Sequence, residues 1–177
     1  MDRHVSLRAA KVEDTAEIVA RYRAAAAGES GLARAVDEIS PAYVAGFLGH
    51  AVADGIALVA VDERAGSSAP IVGEIHAYHS PLAVFAHVLG ELTIAVHPAH
   101  QGRGVGRALF AELLRIVRDE RPAVERVELI TRESNARAIA LYESLGFRRE
   151  GRLERRIRRT DGLLEADVPM GWLRARP

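Results

Sequence analysis

The stretch VHPAHQGRGVGRALF, Val96 to Phe110, joins an apolar segment to an amphipathic one through a turn that holds three glycines. Where a strand leads through glycines into a helix, the first backbone N–H groups of the helix lack partners and point outward at the positive end of its dipole. Glycine also lets a phosphate group approach the backbone closely, so this turn predicts an anion site. Arg103 and Arg107 add side chains that can bind phosphate. The alternative is a turn that only joins a strand to a helix.

The spacing of the three glycines excludes two common phosphate-binding motifs. Gly102, Gly104 and Gly106 are followed by Arg107, so the stretch lacks the G-x-G-x-x-G pattern of dinucleotide-binding domains. No lysine follows the last glycine, which excludes the G-x-x-x-x-G-K-[ST] loop. The sequence therefore predicts a nucleotide-phosphate loop of another kind.

Hydrophobic patterns on both sides of this turn predict one α/β (α+β) domain over residues 1–177, in the order β-α-α-β-β-β-α-β-α-β-β. We expect a mixed central sheet of about seven strands flanked by about four helices. The predicted helices are Val12–Ala27, Ser40–Ala53, one from the glycine turn to Glu120, and Ser134–Phe147. The predicted strands are His4–Ala10, Ile56–Asp62, Ile71–Tyr78, Val88–Pro98, Val124–Thr131 and a final hairpin around Asp161-Gly162. Residues Gly28–Glu38 and Glu63–Pro70 are predicted loops.

The composition is that of an ordinary globular protein and excludes several kinds of site. Of the 177 residues 49% are hydrophobic and 27% charged, and the 24 acidic residues balance the 24 basic ones, so no net charge attracts nucleic acid or a membrane. The absence of cysteine excludes disulfides, thiolate nucleophiles and thiolate metal sites. The polar N-terminus and the lack of a long apolar run predict a cytoplasmic protein.

Two motifs together resemble those of the GCN5-related N-acetyltransferases, the GNAT family. The segment QGRGVG, Gln101 to Gly106, is similar to the Q/R-x-x-G-x-G/A signature, which binds the pyrophosphate of acetyl-coenzyme A in that family. The segment NARAIALYESLGF is similar to a second family pattern, N-x-x-A-x-x-L-Y-x-x-x-G-F, through Asn135, Ala138, Leu141, Tyr142, Gly146 and Phe147. The order of elements resembles the family over nearly the whole chain. The resemblance implies a sheet with one splayed pair of strands.

The resemblance also implies roles for the residues around the glycine turn. The backbone of the preceding strand would bind the pantetheine arm and the acetyl carbonyl of the cofactor through Ile94, Ala95 and Val96. Backbone N–H groups would bind the pyrophosphate over the segment Gln101, Gly102, Arg103, Gly104, Val105, Gly106 and Arg107. Asn135 would contact the arm of the cofactor, and the hydroxyl of Tyr142 would lie near the thioester sulfur.

Acyl transfer from a thioester to an amine needs a neutral amine and a protonated leaving thiol. A phenol within reach can protonate a leaving thiolate, whose thiol has a pKa of about 8.5. The resemblance therefore makes Tyr142 the predicted acid. From its helical spacing alone, Tyr142 is better explained as a residue that covers the core.

An alkylamine with a pKa of about 10.4 is mostly protonated at neutral pH, so a base or a chain of water molecules must accept a proton. Glu91 is the predicted base, because similar enzymes often carry a carboxylate near this place. It lies five residues before Val96 and is expected on the opposite face of the sheet. A solvated carboxylate explains Glu91 equally well, and Glu74, His76 and His97 are rival bases.

The seven histidines favour structural roles over a metal site. His76 and His79 are three residues apart on a predicted strand, so they face opposite sides of it. His97 and His100 flank Pro98 without a cluster of carboxylates or thiols nearby. No metal site is therefore predicted.

The arginine-rich run from Arg148 to Arg159 is interrupted by acidic and apolar residues. It lacks interleaved aromatic residues for base stacking, so a solvated hairpin is favoured over a nucleic-acid site. A second hypothesis is that Arg156 or Arg158 lines the acceptor pocket and favours an amine that carries a carboxylate.

Together these observations predict an acetyl-CoA-dependent N-acetyltransferase that acts by direct transfer in a ternary complex, without a covalent enzyme intermediate. The acceptor would be a primary amine of a small molecule or peptide, and its determinants lie in the first two helices and the link 80–87. One alternative is a non-catalytic acyl-CoA-binding or regulatory module on the same fold, and another is a nucleotide-binding protein of unrelated chemistry. Dimers are common among similar proteins, so a homodimer is a further expectation.

Overall fold

The computed structural model describes residues 4–28, 32, 34–68, 70–159 and 161–175. The helices are α1 (Thr15–Ala26), α2 (Pro41–Asp54), α3 (Val105–Glu120) and α4 (Ala136–Ser144). The strands are β1 (Val5–Ala9), β2 (Gly55–Asp62), β3 (Ile71–His79), β4 (Val88–Val96), β5 (Arg126–Arg132), β6 (Arg148–Arg149), β7 (Leu153–Arg158) and β8 (Leu164–Leu173). The predicted loop Gly28–Glu38 includes positions 29–31 and 33, which lie outside the described residues.

The helix boundaries follow from local sequence. The hydroxyl oxygen of Ser40 accepts the N–H of Tyr43 at 3.1 Å, as expected for a residue that caps a helix beginning at proline. Gly146 follows α4 with a φ of 95°, the left-handed conformation predicted for this position. The first helix begins at Thr15 rather than Val12, because residues 12–14 form a 3₁₀ turn in which the Asp14 carboxylate accepts the N–H of Lys11.

The strands form one mixed sheet in the order β1-β2-β3-β4-β5-β8-β6, with β7 also paired to β8. The expected fold class is confirmed, and over the described residues the sheet has eight strands where about seven were expected. The final hairpin arm predicted as one strand divides into β6 and β7 at residues 150–152. There the N–H of Glu150 still bonds to the carbonyl oxygen of Pro169 at 2.9 Å, but the register with β8 shifts by one residue. Arg155 adds an irregularity within β7, where its φ is 54°.

The two central strands β4 and β5 are parallel and separate soon after they meet. They pair only at Val88 with Arg126 and at Leu89 with Val127. Beyond Leu89 the edge of β4 that faces β5 has no strand beside it, so the sheet opens toward the carboxyl ends of both strands. This is the splayed pair that the resemblance implied.

Apolar side chains pack on both faces of the sheet. Helices α1 and α2 cover one face, where Tyr22 and Phe47 are buried against β2 and β3. Helices α3 and α4 cover the other face, where Phe110 and Tyr142 pack with β5 and β8. The opening between β4 and β5 therefore connects the two helical layers.

Candidate active site

One cavity of about 970 Å³ follows the opening between β4 and β5. This volume is at the upper end of the range typical of ligand sites. Most of the residues predicted for the cofactor and for catalysis line this cavity, which we call the main cleft: Glu91, Ile94, Ala95, Val96, Gln101, Gly102, Gly104, Gly106, Arg107, Asn135 and Tyr142. Residues that are far apart in the chain thus share one cleft.

The glycine turn has the backbone conformation that its sequence predicts. Gly102 and Gly104 have φ values of 77° and 83°, which residues with a Cβ rarely adopt. The side-chain amide of Gln101 donates to the carbonyl oxygen of Val96 at 3.0 Å and so ties the turn back to the end of β4. The turn is held in shape before any ligand binds.

The amino end of α3 presents backbone donors to the main cleft. The N–H of Ala108 is bonded to the carbonyl oxygen of Gly104 at 3.0 Å, and the N–H groups that precede it have no intrahelical partner. Arg137 adds a guanidinium 3.2 Å from the place where a Cβ of Gly102 would lie. Helix dipole, free donors and cation together favour an anionic ligand such as a pyrophosphate.

Two residues of the predicted cofactor segment do not line the main cleft, judged over the described part of the chain. The side chain of Val105 is buried in the core beside Gly73, and Arg103 is exposed to solvent. Arg107 does line the cleft, where its guanidinium donates to the hydroxyl of Ser144 at 2.9 Å. The side-chain contact from Arg103 to a phosphate stays a prediction.

Tyr142 lies on α4 in an aromatic cluster that also reaches the main cleft. Its ring centroid is 5.1 Å from that of Phe110 and 6.2 Å from that of Phe147. Burial raises the pKa of Tyr142 to about 12, so the hydroxyl keeps its proton at neutral pH. The residue both covers the core and supplies a donor to the cleft.

Asn135 caps the start of α4, where its side-chain oxygen accepts the N–H of Ala138 at 3.3 Å. The same residue lines the main cleft. The hydrogen bond to Ala138 fixes the side chain of Asn135 at the mouth of the opening without a ligand.

Of the four candidate bases, Glu91 is the one that lines the main cleft. It lies at a bulge, because the two steps of β3 from His76 to Tyr78 face three steps of β4 from Thr93 to Gly90. The φ of Glu91 is 50°. Burial, followed by the negative charge of Glu91, raises the pKa of Tyr78. Glu91 therefore lies on the sheet face of Tyr78 and α2.

Glu74 and His76 form a buried network away from the main cleft. Glu74 is fully buried and accepts the Tyr22 hydroxyl at 2.6 Å, while His76 Nδ1 lies 3.1 Å from the same carboxylate. The ring of Phe47 stacks on His76 with centroids 3.8 Å apart. These contacts favour a role of both residues in joining α1 and α2 to the sheet.

Sequence reasoning missed several charged residues that line the main cleft. Arg34 lies over the ring of Tyr43 at 3.9 Å, and Arg132 donates to the carbonyl oxygen of Leu32 at 2.8 Å. Both arginines line the cleft together with Asp167 on β8. No motif marks these positions, because they come from three distant elements.

Asp167 is a largely buried carboxyl in this part of the cleft. Burial raises its pKa, and the nearby Arg156 and Arg132 lower it by less. Arg156 lies 3.4 Å from the carboxylate of Asp167 but does not itself line the cleft. Arg158 contacts the carbonyl oxygen of Gly162 at the hairpin turn. Neither Arg156 nor Arg158 lines the main cleft.

The described residues hold neither a metal-binding group nor a membrane-spanning helix. No three histidine, cysteine or acidic side chains among them are grouped so that they could hold a metal ion. Within the same residues, no helix is long and apolar enough to cross a membrane.

Comparison with known proteins identifies the family to which this fold and cleft belong. The profile of the Acetyltransferase (GNAT) family matches residues 25–147. That match covers more than half of the 177 residues, so the chain belongs to this family of acetyltransferases. The family resemblance of the two motifs is thereby confirmed.

Curated relatives are similar over part of their length. The N-alpha-acetyltransferase RimI of Mycobacterium tuberculosis is 49% identical over 70 residues, which are 40% of each chain. The [ribosomal protein bS18]-alanine N-acetyltransferase of Escherichia coli is 48% identical over 68 residues, 37% of this chain and 45% of that one. The mycothiol acetyltransferase of Salinispora arenicola is 43% identical over 89 residues, 50% of this chain and 23% of that one. The chain thus spans less than half the length of each of these relatives.

Solved structures share the fold over nearly the whole chain. A GNAT-family acetyltransferase from Streptococcus pneumoniae has a TM-score of 0.83 at 22% identity and covers 96% of this chain and 99% of its own. A phosphinothricin acetyltransferase from Sinorhizobium meliloti, solved in complex with AcCoA, has a TM-score of 0.77 at 21% identity, covering 96% of this chain and 88% of its own. At such identities the likeness shows the fold alone.

Proposed function

We propose that the protein is an acetyl-CoA-dependent N-acetyltransferase that transfers the acetyl group directly to a primary amine in a ternary complex. The observation that carries this proposal is the main cleft itself. A rigid anion-binding turn, an open strand edge, a protonated phenol and a carboxylate line the same cavity. Each of these groups is one that acyl transfer from a coenzyme A thioester requires.

The donor end of the cleft fits acetyl-CoA through its set of hydrogen-bond donors. The N–H groups around Gly104 and Gly106, with Arg107 and Arg137 beside them, hold the pyrophosphate. The free edge of β4 from Gly90 to Val96 offers backbone groups to the amide-containing arm. Acetyl-CoA supplies an activated acetyl thioester when bound there.

Glu91 accepts the proton that the acceptor ammonium must lose. An alkylammonium with a pKa of about 10.4 is almost fully charged at neutral pH, so attack needs a group that removes this proton. Glu91 is exposed at the cleft and carries the negative charge that attracts such a cation. The bulge directs Glu91 away from the core. Glu74, in contrast, lies in the core, where its carboxylate contacts Tyr22 and His76.

Tyr142 stabilises the leaving thiolate by donating its hydroxyl proton or a hydrogen bond from it. Its raised pKa keeps the hydroxyl of Tyr142 protonated at neutral pH and also above the pKa of the leaving thiol, which is about 8.5. The contacts with Phe110 and Phe147 hold the ring in place and limit the reorganisation needed during the reaction.

The acceptor is a primary amine of a small molecule or peptide. The names of the relatives support both classes, since two acetylate a protein N-terminus or alanine and one is named for mycothiol. The mixture of Arg34, Glu91, Arg132 and Asp167 in the cleft can bind an ammonium together with a neighbouring polar group.

A thiol-release assay with acetyl-CoA and pools of amines tests the proposal, with wild type compared to Tyr142→Phe. We expect release that depends on an amine, and a turnover about a hundredfold lower in the variant, the usual range for loss of an acid catalyst. The affinity for acetyl-CoA, measured by calorimetry, should change little.

Three other results would contradict the proposal in different ways. Coenzyme A binding without any turnover indicates a non-catalytic module on the same fold. Stronger thermal stabilisation by ATP or NAD than by coenzyme A indicates an unrelated nucleotide-binding protein. Equal turnover of wild type and Tyr142→Phe removes Tyr142 from the chemistry.

A further inference from the structure

A second cavity, of about 380 Å³, meets the main cleft at Glu91 and Glu128. We call it the distal cavity. Apart from these two carboxylates it is lined by residues of the β3–β4 region: Tyr78, His79, Ser80, Pro81, Phe85, Val88 and Gly90. A cavity of this size holds a small organic group rather than a single water molecule.

The position of the distal cavity along β4 separates it from the donor end. The glycine turn follows the last residue of β4, whereas the distal cavity lies beside the first residues, Val88 to Glu91. Five residues of strand, about 16 Å, separate Glu91 from Val96. A group in the distal cavity would therefore approach Glu91 from the side that the donor does not occupy.

The loop that forms the outer wall is fixed by internal hydrogen bonds. At its start, His79 Nδ1 donates to the carbonyl oxygen of Val88 at 2.8 Å. In its middle, the N–H of Phe85 is bonded to the carbonyl oxygen of Leu82 at 2.9 Å, within a 3₁₀ turn. At its end, the carbonyl oxygen of His87 accepts the N–H of Glu125 at 3.0 Å. The wall is thus present without a ligand.

The lining of the distal cavity combines apolar surface with acidic groups at the junction. Phe85 is 47% exposed, which leaves a large part of an aromatic ring in water at the edge of the cavity. Pro81, Val88 and the ring of Tyr78 complete the apolar surface. One oxygen of Glu128 lies 3.5 Å from the place where a Cβ of Gly90 would be. The other oxygen accepts from the guanidinium of Arg126 at 2.8 Å, so Glu91 is the carboxylate at the junction that can bind a further cation. An ammonium at the junction and a hydrocarbon group beyond it match this arrangement.

We propose that the distal cavity binds an apolar side group, of the size of an aromatic ring, carried by the acceptor amine whose nitrogen lies at Glu91. This inference rests on the proposed function for the identity of the acceptor as an amine. It narrows the substrate class to amines with an apolar or aromatic group one or two carbons from the nitrogen. Phe85 is then a specificity-determining residue.

Two matched probes test the inference: 2-phenylethylamine and ethylamine, which differ only by the ring. Calorimetric titration of the coenzyme A-loaded protein should show tighter binding of 2-phenylethylamine, by about tenfold, because the ring loses its contact with water. Equal affinities for the two amines, or no binding of 2-phenylethylamine at millimolar concentration, would overturn the inference.

Two variants of the same loop locate the preference. Phe85→Ala should reduce the ratio of the two affinities about fivefold, because it removes most of the apolar wall. Val84→Ala is the control, since Val84 is 70% exposed on the same turn and does not line the distal cavity. It should leave the ratio within about twofold of wild type, since it removes no contact of the ring. Equal effects of the two substitutions would show that the loop as a whole, rather than Phe85, is responsible.

The thiol-release assay separates this inference from the proposed function. A higher kcat/KM for 2-phenylethylamine than for ethylamine, caused by a lower KM, supports both the subsite and the proposed function. Equal kcat/KM for the two amines supports the proposed function and overturns the distal cavity as a subsite. A binding preference that Phe85→Ala removes, without thiol release from any amine, supports the subsite and overturns the proposed function.

Discussion

In the proposed function the main cleft has a donor end, at the glycine turn and the start of α3, and an acceptor end, at Tyr43, Glu91 and Asp167. The two ends are built from different parts of the polypeptide. The donor end uses backbone groups of the glycine turn and α3, supported by the buried cluster around Phe110 and Tyr142. The acceptor end uses side chains that come from α2, β4, β5 and β8, such as Tyr43, Glu91 and Asp167. A backbone site is fixed by a short motif, whereas a side-chain site depends on how distant elements meet. The donor end should therefore be sensitive to changes in the fold, and the acceptor end to changes in surface groups.

Two phenylalanines give the largest contrast. Phe110 is fully buried behind the donor end, and Phe85 is half exposed at the edge of the distal cavity, which joins the acceptor end at Glu91. We expect Phe110→Ala to lower the free energy of unfolding by about 3–5 kcal/mol through lost contacts and a cavity. Phe85→Ala should lower it by no more than about 0.5 kcal/mol. Urea unfolding of both variants measures the difference, and similar losses would mean that the two ends are equally part of the core.

A pair of glycine substitutions tests the backbone of the donor end. Gly104→Ala places a Cβ at a φ of 83°, which costs about 1–2 kcal/mol in stability and disturbs the donors of α3. Gly49→Ala, at an exposed position of α2 with open space around it, should instead stabilise the protein by about 1 kcal/mol.

Coenzyme A affinity provides the second measurement on this pair. It should fall in Gly104→Ala and stay unchanged in Gly49→Ala, as measured by calorimetry. A loss of stability in Gly104→Ala without a loss of affinity would show that the turn shapes the fold and not the site.

Glu91 brings backbone strain to the acceptor end. Its φ of 50° is unfavourable for a residue with a Cβ, and such strain is often found at functional sites. Glu91→Gly and Glu91→Ala both remove the carboxylate, but only glycine relieves the strain. The glycine variant should be more stable than the alanine variant by about 1 kcal/mol, while both lose amine-dependent thiol release. Equal stabilities would mean that the bulge is relaxed, and retained turnover would place the base elsewhere.

The sequence predicts the conformation of the glycine turn and the ends of two helices well, because their determinants are local. Gly102 and Gly104 adopt the positive φ values of the turn without strain, and Gly106 already lies in α3. Ser40 and Gly146 mark helix ends by their own hydrogen-bonding and φ preferences. The contact between the Arg103 side chain and a phosphate stays a prediction, because a one-dimensional motif does not say which side of a turn a long side chain follows.

The acceptor end was not predictable in the same way. Arg132 and Asp167 lie opposite each other only because β5 pairs with β8 in one register. The bulge at Glu91 changes the alternation of β4 by one residue, and no local pattern in GELTIAV announces it. The division of the final hairpin arm into β6 and β7 likewise depends on pairing with β8 rather than on its own residues.

Two carboxyls, the buried Asp167 and the partly buried Asp14, provide the smallest and most specific contrast, because their pKa values shift in opposite directions. Burial raises the pKa of Asp167 at the acceptor end above its ordinary value of 3.8. Hydrogen bonds from Arg8, at 2.7 and 2.8 Å, lower the pKa of Asp14 beside α1, away from the cleft. The folded protein therefore holds the proton of Asp167 more tightly than the unfolded chain does, and that of Asp14 less tightly.

The pH dependence of stability follows from these directions. The contribution of Asp167 is full below its unfolded pKa and is lost as pH rises through the higher folded pKa, whereas that of Asp14 is present above its unfolded pKa and lost as pH falls through the lower folded one. At pH 7 Asp167→Asn should raise the melting temperature and Asp14→Asn should lower it, and both differences should shrink at pH 3. Scanning calorimetry at the two pH values measures this. A lower melting temperature of Asp167→Asn at pH 7 would mean that Arg156 and Arg132 fully compensate the buried charge. The predicted rise would instead mark Asp167 as a carboxylate that the acceptor end keeps at a cost to folding, as binding sites commonly do.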